Sequence, residues 1–514
     1  MSQEKFQSIS AADFFYKNRE IAGFDNPVRA TYTIIRELVE NALDACEQYS
    51  IKPDIRVKLI EEGESIYRLK VEDNGIGVPY EQVPYAFAQI LFGSKYTLRQ
   101  SRGIFGLGGK MAILYGQITS HSTVRVTSST GGFEKYSYEL SINIQENKPI
   151  IRKKEVTPNP ARWRGTIIQF NFEGDYVRAK PKVVEYFRQT SILMPYANIF
   201  FVDPEGVLYR FDKITDVMPK PAEEVKPHPH GVDLEAVQRM INASRSNSMV
   251  DFLSNNFHRV GISTATSFLK SIKMDPQANP RALQPKELFT LVNKLKDFKE
   301  FQPPDAQCLS PVGMELLEKG IMREFRPEYV AVTQRGASAY GGYPFIVEAA
   351  MAYGGDIPLS TADDMMVFRY ANKIPLLYDL HSDVSMKVIK NLNWQRYRLD
   401  LSTMPIAFFI HICATKVPYK TVGKEYIADR PEVEYEIEWA LKTCARELRM
   451  HLAKKDRASI IQKRLTVFER YLPLISQFSS ELAGASSPPN VEKVLKRLQA
   501  HAKEVEQRSI VQAN

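Results

Sequence analysis

A glycine-rich run, Arg102-Gly-Ile-Phe-Gly-Leu-Gly-Gly-Lys, constrains this chain more than any other segment. It leads directly into the helix-prone residues 111–115. Glycines leave backbone N–H groups free to wrap phosphate oxygens, and a helix N-terminus adds its positive end. The run is not a Walker A loop, which would need lysine at 109 followed by Ser or Thr, and its fit to a dinucleotide fingerprint is weak. It predicts a phosphate-binding loop, an interpretation that depends on further residues.

A helix predicted over residues 30–46 carries polar residues on one face. Glu37, Asn41 and Asp44 are spaced four and three residues apart, so they project together beside the apolar stripe that contains Leu38. A carboxylate can activate water, and an amide oxygen is a suitable ligand for Mg²⁺. Taken alone, the same pattern also fits a solvated helix face.

A third motif, Glu72-Asp-Asn-Gly-Ile-Gly-Val-Pro, directly follows a predicted strand. Gly75 and Gly77 allow the backbone to approach a flat ligand, and the carboxylate of Asp73 can accept a hydrogen bond from an exocyclic amine. By itself, Asp-Asn-Gly is most often a turn.

In this order and spacing, with Gly165-Thr166 on a later predicted strand, the motifs resemble the ATP site of the gyrase, chaperone, histidine kinase and MutL superfamily. Residues 37–44 match its N box, residues 73–77 its first glycine box, residues 103–110 its second, and Thr166 its threonine position. The resemblance implies a Bergerat-type ATPase fold that binds ATP and Mg²⁺, with Asn41 as the metal ligand.

The predicted fold class is α+β, in four segments. Strand hairpins at 55–72 and 124–142, combined with long helices, favour an α/β sandwich over a parallel sheet. We expect the ATPase domain at 1–225, a small all-helical insert at 226–303, an α/β transducer domain at 304–473, and a short helical tail at 474–514. A proline-rich stretch from Met218 marks the first boundary. The transducer domain is expected to end in one long helix, from Pro431 to about Tyr471.

Composition narrows the class of protein. The 514 residues exceed one compact core, and the net charge of +8 is compatible with nucleic-acid contact without requiring it. Four cysteines without CxxC or Cys/His spacing predict reduced thiols, not disulfides or a zinc site. The longest apolar run, Met404–Ala414, is shorter than the ~20 residues that span a bilayer. With no signal-peptide pattern at the N-terminus, we expect a soluble, cytoplasmic protein with no membrane partner.

A closer resemblance covers essentially the whole chain: it is similar to the B subunits of topoisomerase VI, the type IIB DNA topoisomerases of archaea. The similarity is carried by segments beginning at Ala22, Gly93, Ser101, Arg369 and Thr415. The helical insert fits the helix-two-turns-helix module of that family. One departure is Gln395 in Asn393-Trp-Gln-Arg-Tyr, where the family usually has lysine, so this chain lacks the positive charge at that position.

The resemblance implies a role for each site residue. Glu37 would deprotonate the attacking water, Asn41 would hold Mg²⁺, and Asp73 would recognise adenine, with Thr166 supporting a bridging water. Lys424 would reach the γ-phosphate from the transducer domain and sense it; Lys416 and Lys420 are rivals for that role. The remaining nucleotide-binding residues are predicted to be Gly75, Gly77, Ser94, Lys95, Gly103, Ile104, Phe105, Gly106, Leu107, Gly108, Gly109 and Lys110.

The family resemblance also implies partners. ATP would dimerise two B subunits around double-stranded DNA, with residues 1–20 crossing to the partner's site. A separate A subunit would cleave the strands and bind near the end of the long helix, giving an A2B2 heterotetramer. Basic residues in 231–300 and around Arg335 would contact phosphates without reading sequence, although a structural role for the insert is equally compatible.

Three other functions remain open at this point. A chaperone-like ATP clamp, or a MutL-like repair ATPase, would use the same nucleotide site without a cleaving partner. A DNA-binding scaffold with a vestigial site is a further alternative, but the presence of Glu37 argues against it.

Overall fold

The computed structural model describes residues 8–93, 97–103, 106–359, 365–420 and 424–500. Its first part is built on an eight-stranded sheet in the order β5-β4-β3-β6-β2-β1-β7-β8, antiparallel except for the β1–β7 pair. The strands are β1 (Asp54–Gly63), β2 (Ile66–Asp73), β3 (Val124–Thr130), β4 (Glu134–Asn143), β5 (Lys148–Pro158), β6 (Arg164–Glu173), β7 (Asn198–Val202) and β8 (Leu208–Phe211).

Helices pack against this sheet and position the candidate site. α2 and α4 contact each other and strands β2 and β6. α2 begins where the Asn26 side chain accepts from the backbone N–H of Arg29 at 2.9 Å, and Pro27 takes the first helical position. The helices of this part are α1 (Ala11–Lys17), α2 (Pro27–Glu47), α3 (Val83–Ala88), α4 (Gly108–Ser120) and α5 (Tyr176–Leu193).

The predicted hairpins are confirmed, but the sequence analysis did not identify strands β5, β7 and β8. β5 pairs with β4 at the edge of the sheet and is exposed along most of its length. Its Ile-Ile-Arg-Lys-Lys-Glu sequence lacks apolar alternation because an exposed edge strand has no face to bury. β1 and β3 extend to Gly63 and Thr130, into the polar residues that connect the two strands of each hairpin.

Residues 234–297 form a small helical unit with its own apolar core. It follows residues 212–228, a stretch with neither helix nor strand, as its prolines predict. The helices are α6 (Leu234–Ala243), α7 (Met249–Asn256), α8 (Ile262–Ser271) and α9 (Pro285–Asp297).

The third part contains a second sheet, in the order β10-β11-β14-β12-β13 with β9 paired to β11. Helix α10, which the sequence analysis did not predict, packs on α5, so the largest apolar core runs from the first sheet into this part. The elements are α10 (Met314–Phe325), β9 (Tyr329–Gln334), β10 (Ser338–Tyr340), β11 (Tyr343–Tyr353), β12 (Met366–Ala371), β13 (Ile374–Pro375), α11 (Val384–Asn391), β14 (Ile406–Ala414) and α12 (Pro431–Leu482).

The long helix extends further than predicted. α12 continues past Tyr471 and through Pro473 to Leu482, so the predicted boundary at 473/474 falls inside a helix. It ends before Gly484, whose φ of 63° is a left-handed conformation that favours glycine after a helix. Residues 492–500 are helical again and fold back, with Gln499 donating to Glu469 at 2.7 Å.

Two predictions from composition can be compared with the structure. All four cysteines are buried free thiols, which confirms the absence of a disulfide frame. Across the described ranges, no helix is both long and apolar enough to cross a membrane.

Candidate nucleotide site

The candidate site lies where the N-terminus of α4 meets the middle of α2. A Cβ atom on Gly108 would lie 1.6 Å from Oε2 of Glu37, and one on Gly109 would lie 2.8 Å from Nδ2 of Asn41. The second glycine box therefore passes directly over the two polar residues of the helix. Only glycine permits this approach, which brings the first N–H groups of α4 next to a carboxylate and an amide.

The Glu37 carboxylate is buried and paired with two cations. Arg36 donates to its Oε1 at 2.8 Å, and the amine of Lys424 lies 3.4 Å from the same oxygen. Burial acts to raise the pKa of Glu37, but the charges of Lys424 and Arg36 outweigh it and lower that pKa to about 2. In this arrangement Glu37 is a weak base.

Asp73 lies at the end of β2, opposite Thr166 of β6. Its Oδ1 accepts from the backbone N–H groups of Gly75 at 2.8 Å and Thr166 at 3.2 Å. Burial raises the pKa of Asp73 to about 7, although these two hydrogen bonds oppose the shift. A carboxyl held in place by the backbone beside a buried threonine is suited to recognise a polar, flat ligand.

Two glycines make this corner possible. A Cβ on Gly165 would lie 2.0 Å from the carbonyl oxygen of Asp73, and one on Gly77 would lie 2.1 Å from that of Ser129. Gly77 also has a φ of 74°, in the region that side chains rarely adopt. The spacing of the first glycine box thus follows from close backbone packing between three strands.

Ser128 is a residue of this corner that the sequence analysis missed. Its hydroxyl lies 3.4 Å from that of Thr166, donates to the carbonyl of Gly165 at 3.1 Å, and accepts from the N–H of Val78 at 2.8 Å. The local sequence predicts a turn at Ser128, whereas its pairing with Thr166 across β3 and β6 depends on strand register that no local motif reveals.

The predicted phosphate lid is only partly described. Ser94, Lys95, Ile104 and Phe105 lie outside the described residues. Lys110 is buried, and its amine donates to the carbonyl of Phe92. Burial lowers the pKa of Lys110 to about 8.

The three candidate lysines of the third part make different contacts. The Lys416 amine lies over the ring of Tyr343, and the Lys420 amine over the ring of Tyr426. Lys424 alone of the three makes hydrogen bonds to Glu37 and Glu40, at 3.4 and 3.1 Å. The structure therefore brings the preferred lysine to the proposed base. This contact joins α2 to the loop before α12.

A second buried ion cluster, also missed from sequence, joins the glycine-box loop to the second sheet. Arg102 lies 2.8 Å from Asp44 and 3.0 Å from Glu47, at the end of α2. Lys373, which follows β12, reaches the same Glu47 carboxylate at 3.3 Å. The backbone N–H of Lys373 donates to His411 at 3.0 Å. No sequence spacing signals this cluster, because its members come from distant parts of the chain.

Other residues singled out from sequence have structural contacts. Arg335 pairs with Glu436 at 2.7 Å. Trp394 and Tyr397 are buried, and the indole N–H of Trp394 donates to the carbonyl of Ile389 at 2.9 Å. Gln395 is exposed beside them.

The fold and the site define a class of protein: an ATPase of the gyrase and HSP90 type. A family model described as "Histidine kinase-, DNA gyrase B-, and HSP90-like ATPase" matches residues 26–144, and one described as "Topoisomerase VI B subunit, transducer" matches residues 304–464. The chain belongs to the family of type 2 DNA topoisomerase 6 B subunits.

Curated relatives, each named as the B subunit of type 2 DNA topoisomerase 6, support this assignment. Those of Metallosphaera sedula and Sulfurisphaera tokodaii are both 43% identical to this chain, and that of Saccharolobus solfataricus is 41% identical. Each alignment covers 93% of this chain and 90% of the relative. The family, the α+β fold and the function of an ATP-dependent topoisomerase subunit, all predicted from the sequence, are confirmed.

Proposed function

We propose that this chain binds and hydrolyses MgATP at the α2–α4 site and uses it to drive DNA strand passage. The observation that carries the proposal is the approach of Gly108 to Glu37, which sets phosphate-binding N–H groups beside a carboxylate. The nucleotide would lie between this cradle and Asp73. Some site residues would then contact adenine, others the phosphates, and others the attacking water.

In this proposal Asp73 accepts from the adenine amine, and Thr166 and Ser128 hold the water that bridges to the ring. The glycine box, residues 103–110, surrounds the phosphates. Asn41, whose amide faces Gly109, would provide an oxygen ligand for Mg²⁺. When bound, the metal would neutralise charge on the phosphate oxygens.

Glu37 orients the attacking water and accepts its proton. Its low pKa, caused by Lys424 and Arg36, makes it a poor proton acceptor while both cations are close. Transfer of the Lys424 amine to the γ-phosphate would remove one of those charges from the carboxylate. Lys424 therefore acts both as a sensor of the triphosphate and as a control on the base.

The same proposal assigns partners. The second half of α12 has a row of apolar residues that the described part of the chain leaves exposed: Val467, Tyr471, Leu474, Ile475 and Phe478. A cleaving A subunit, in an A2B2 assembly, would cover this surface. ATP binding would dimerise two B subunits and enclose a DNA duplex, contacted through phosphates by the helical unit.

The domain limits 225, 303 and 473 remain proposals, as does a cytoplasmic site of action, which the four free thiols favour.

Steady-state ATP hydrolysis by the purified chain tests this function. It is measured alone, with duplex DNA, and with DNA plus the candidate A subunit, using Glu37→Ala as the inactive control. Turnover stimulated by both additions is expected, followed by decatenation by the reconstituted complex. Turnover indifferent to both would retain the nucleotide site and favour a protein clamp instead.

A further inference from the structure

The amine of Lys424 is shared between two buried carboxylates. It lies 3.1 Å from Oε2 of Glu40 and 3.4 Å from Oε1 of Glu37. Arg36 completes the cluster, 3.4 Å from Glu40 and 2.8 Å from Glu37. Two cations thus balance two anions, and Glu40 is the closer partner of the lysine.

Burial makes this balance important. The exposed fractions of the side chains are 3% for Glu40, 10% for Glu37 and 11% for Lys424. An unpaired charge is costly in such surroundings, so the lysine can leave the carboxylates only if another anion takes their place. A phosphate bound at the turn beside Gly108 would be such an anion, since that turn touches Glu37.

The backbone around Lys424 is anchored independently of its amine. Glu425 forms an ion pair with Arg29 in the first turn of α2. The N–H of Ile427 donates to Asp383 at 2.9 Å. The loop therefore keeps its place on α2 while the long, flexible lysine side chain exchanges one anion for another.

We propose that Glu40 is a positioning residue that holds the Lys424 amine when no triphosphate is bound and competes with the γ-phosphate for it. This inference rests on the proposed ATP site and concerns its regulation. Each triphosphate that binds must displace the lysine from Glu40, so part of its binding energy is used in that exchange. A diphosphate lacks the competing group and leaves the Lys424–Glu40 contact in place.

The test compares two ligands, Mg–ADP and the non-hydrolysable Mg–AMPPNP, whose dissociation constants are measured calorimetrically on the full chain. Glu40→Gln removes the negative charge but keeps the size of the side chain. We expect roughly tenfold tighter AMPPNP binding, the change that ~1.4 kcal/mol produces, with ADP binding unchanged. In a Lys424→Ala background the same substitution should give no gain.

Glu436→Gln is the matched control, since Glu436 also pairs with a cation, Arg335, at 2.7 Å but away from the site. It should alter neither constant. If Glu40→Gln does not fold, Glu40→Asp, which keeps the charge but shortens the side chain, should give a smaller gain for AMPPNP alone.

A purely structural role for Glu40 predicts a different pattern. Equal changes for both ligands, no change for either, or a gain that persists without Lys424 would overturn the inference. If the wild-type chain binds neither ligand, the proposed ATP site itself fails, which is a separate and recognisable outcome.

Discussion

The backbone of Gly108 lies against the carboxylate of Glu37, so that a Cβ at residue 108 would come within 1.6 Å of Oε2. Gly108 is the first residue of α4, and Glu37 is in the middle of α2. A side chain at residue 108 would therefore displace the Glu37 carboxylate. The contact also fixes the position of the proposed base relative to the phosphate-binding turn.

Gly108→Ala should therefore displace Glu37 rather than unfold the protein. The carboxylate would have to leave Arg36 and Lys424, and a displacement of about 1 Å is enough to reduce a catalytic rate by ~100-fold. We expect ATP turnover to fall by that order, and the thermal unfolding midpoint to fall as well, because two buried cations lose a carboxylate partner. Gly132→Ala is the control, because a Cβ there has nothing within 4 Å. Full activity of Gly108→Ala would contradict the proposed position of the base.

Glu37→Ala should separate binding from hydrolysis. General-base catalysis contributes a factor of ~100 to 10,000, so single-turnover hydrolysis should fall by that amount. Binding of AMPPNP and nucleotide-driven dimerisation should persist, as measured by calorimetry and light scattering. Hydrolysis at the normal rate would exclude Glu37 as the base.

Nucleotide affinity should depend on pH through Asp73. Burial raises the pKa of this carboxyl to about 7, so it holds a proton at a pH where an ordinary aspartate is charged. The charged carboxylate is a stronger acceptor for the adenine amine than the protonated carboxyl, so ADP affinity should fall as pH drops below about 7 and level off above it. Dissociation constants measured from pH 5.5 to 8.5 test this. The Asp73→Asn variant should bind ADP weakly, and the only pH dependence left should be that of the ligand's own ionisation. Identical pH profiles for the variant and the wild-type chain would disprove the role of Asp73.

Removal of Mg²⁺ should abolish ATP hydrolysis. The Mg²⁺ concentration needed for turnover should depend on Asn41. Asn41→Ala loses an oxygen ligand, so half-maximal turnover should need at least roughly tenfold more Mg²⁺. A magnesium titration of initial rates measures the change. Asn255→Ala, at an exposed position of α7 in the helical unit, is the control variant. An unaltered titration for Asn41→Ala would remove this residue from the metal site.

The cluster around Glu47 should contribute to the stability of the contact between the first and third parts of the chain. Glu47→Gln leaves the buried cations of Arg102 and Lys373 without their shared carboxylate, a change that costs about 3–5 kcal/mol. The thermal unfolding midpoint should fall by several degrees. Glu315→Gln removes a surface partner of Lys319 and should change it little. Equal effects would mean that the buried cluster contributes no special stability.

Most of the site chemistry was predictable from the sequence because its signals are local. The four-residue spacing of Glu37 and Asn41 places both on one face of α2, whatever the rest of the chain does. The spacing of the glycines between residues 103 and 109 similarly indicates that the backbone there approaches a neighbouring group closely. The hairpin β1–β2 and the helical unit 234–297 are predictable on the same basis.

Elements without a local signal are missed or misjudged from sequence. β5 is a polar edge strand that is held by its pairing with β4. Its sequence therefore lacks the alternation of apolar and polar residues by which a strand is recognised. The predicted end of α12 is too early because Pro473 resembles a stop signal, whereas the helix accommodates it and ends before Gly484.

The sequence by itself determined the nucleotide-binding class and the family, and it predicts Glu37 as the base and Asp73 as the adenine-binding residue. Only the tertiary structure decided which lysine meets Glu37, that Glu40 shares it, and that Arg102 and Lys373 converge on Glu47. Lys424 and Glu37 are 387 residues apart in sequence. Such contacts depend on how α10 and β13 of the third part pack on α5, and no short-range pattern encodes that packing.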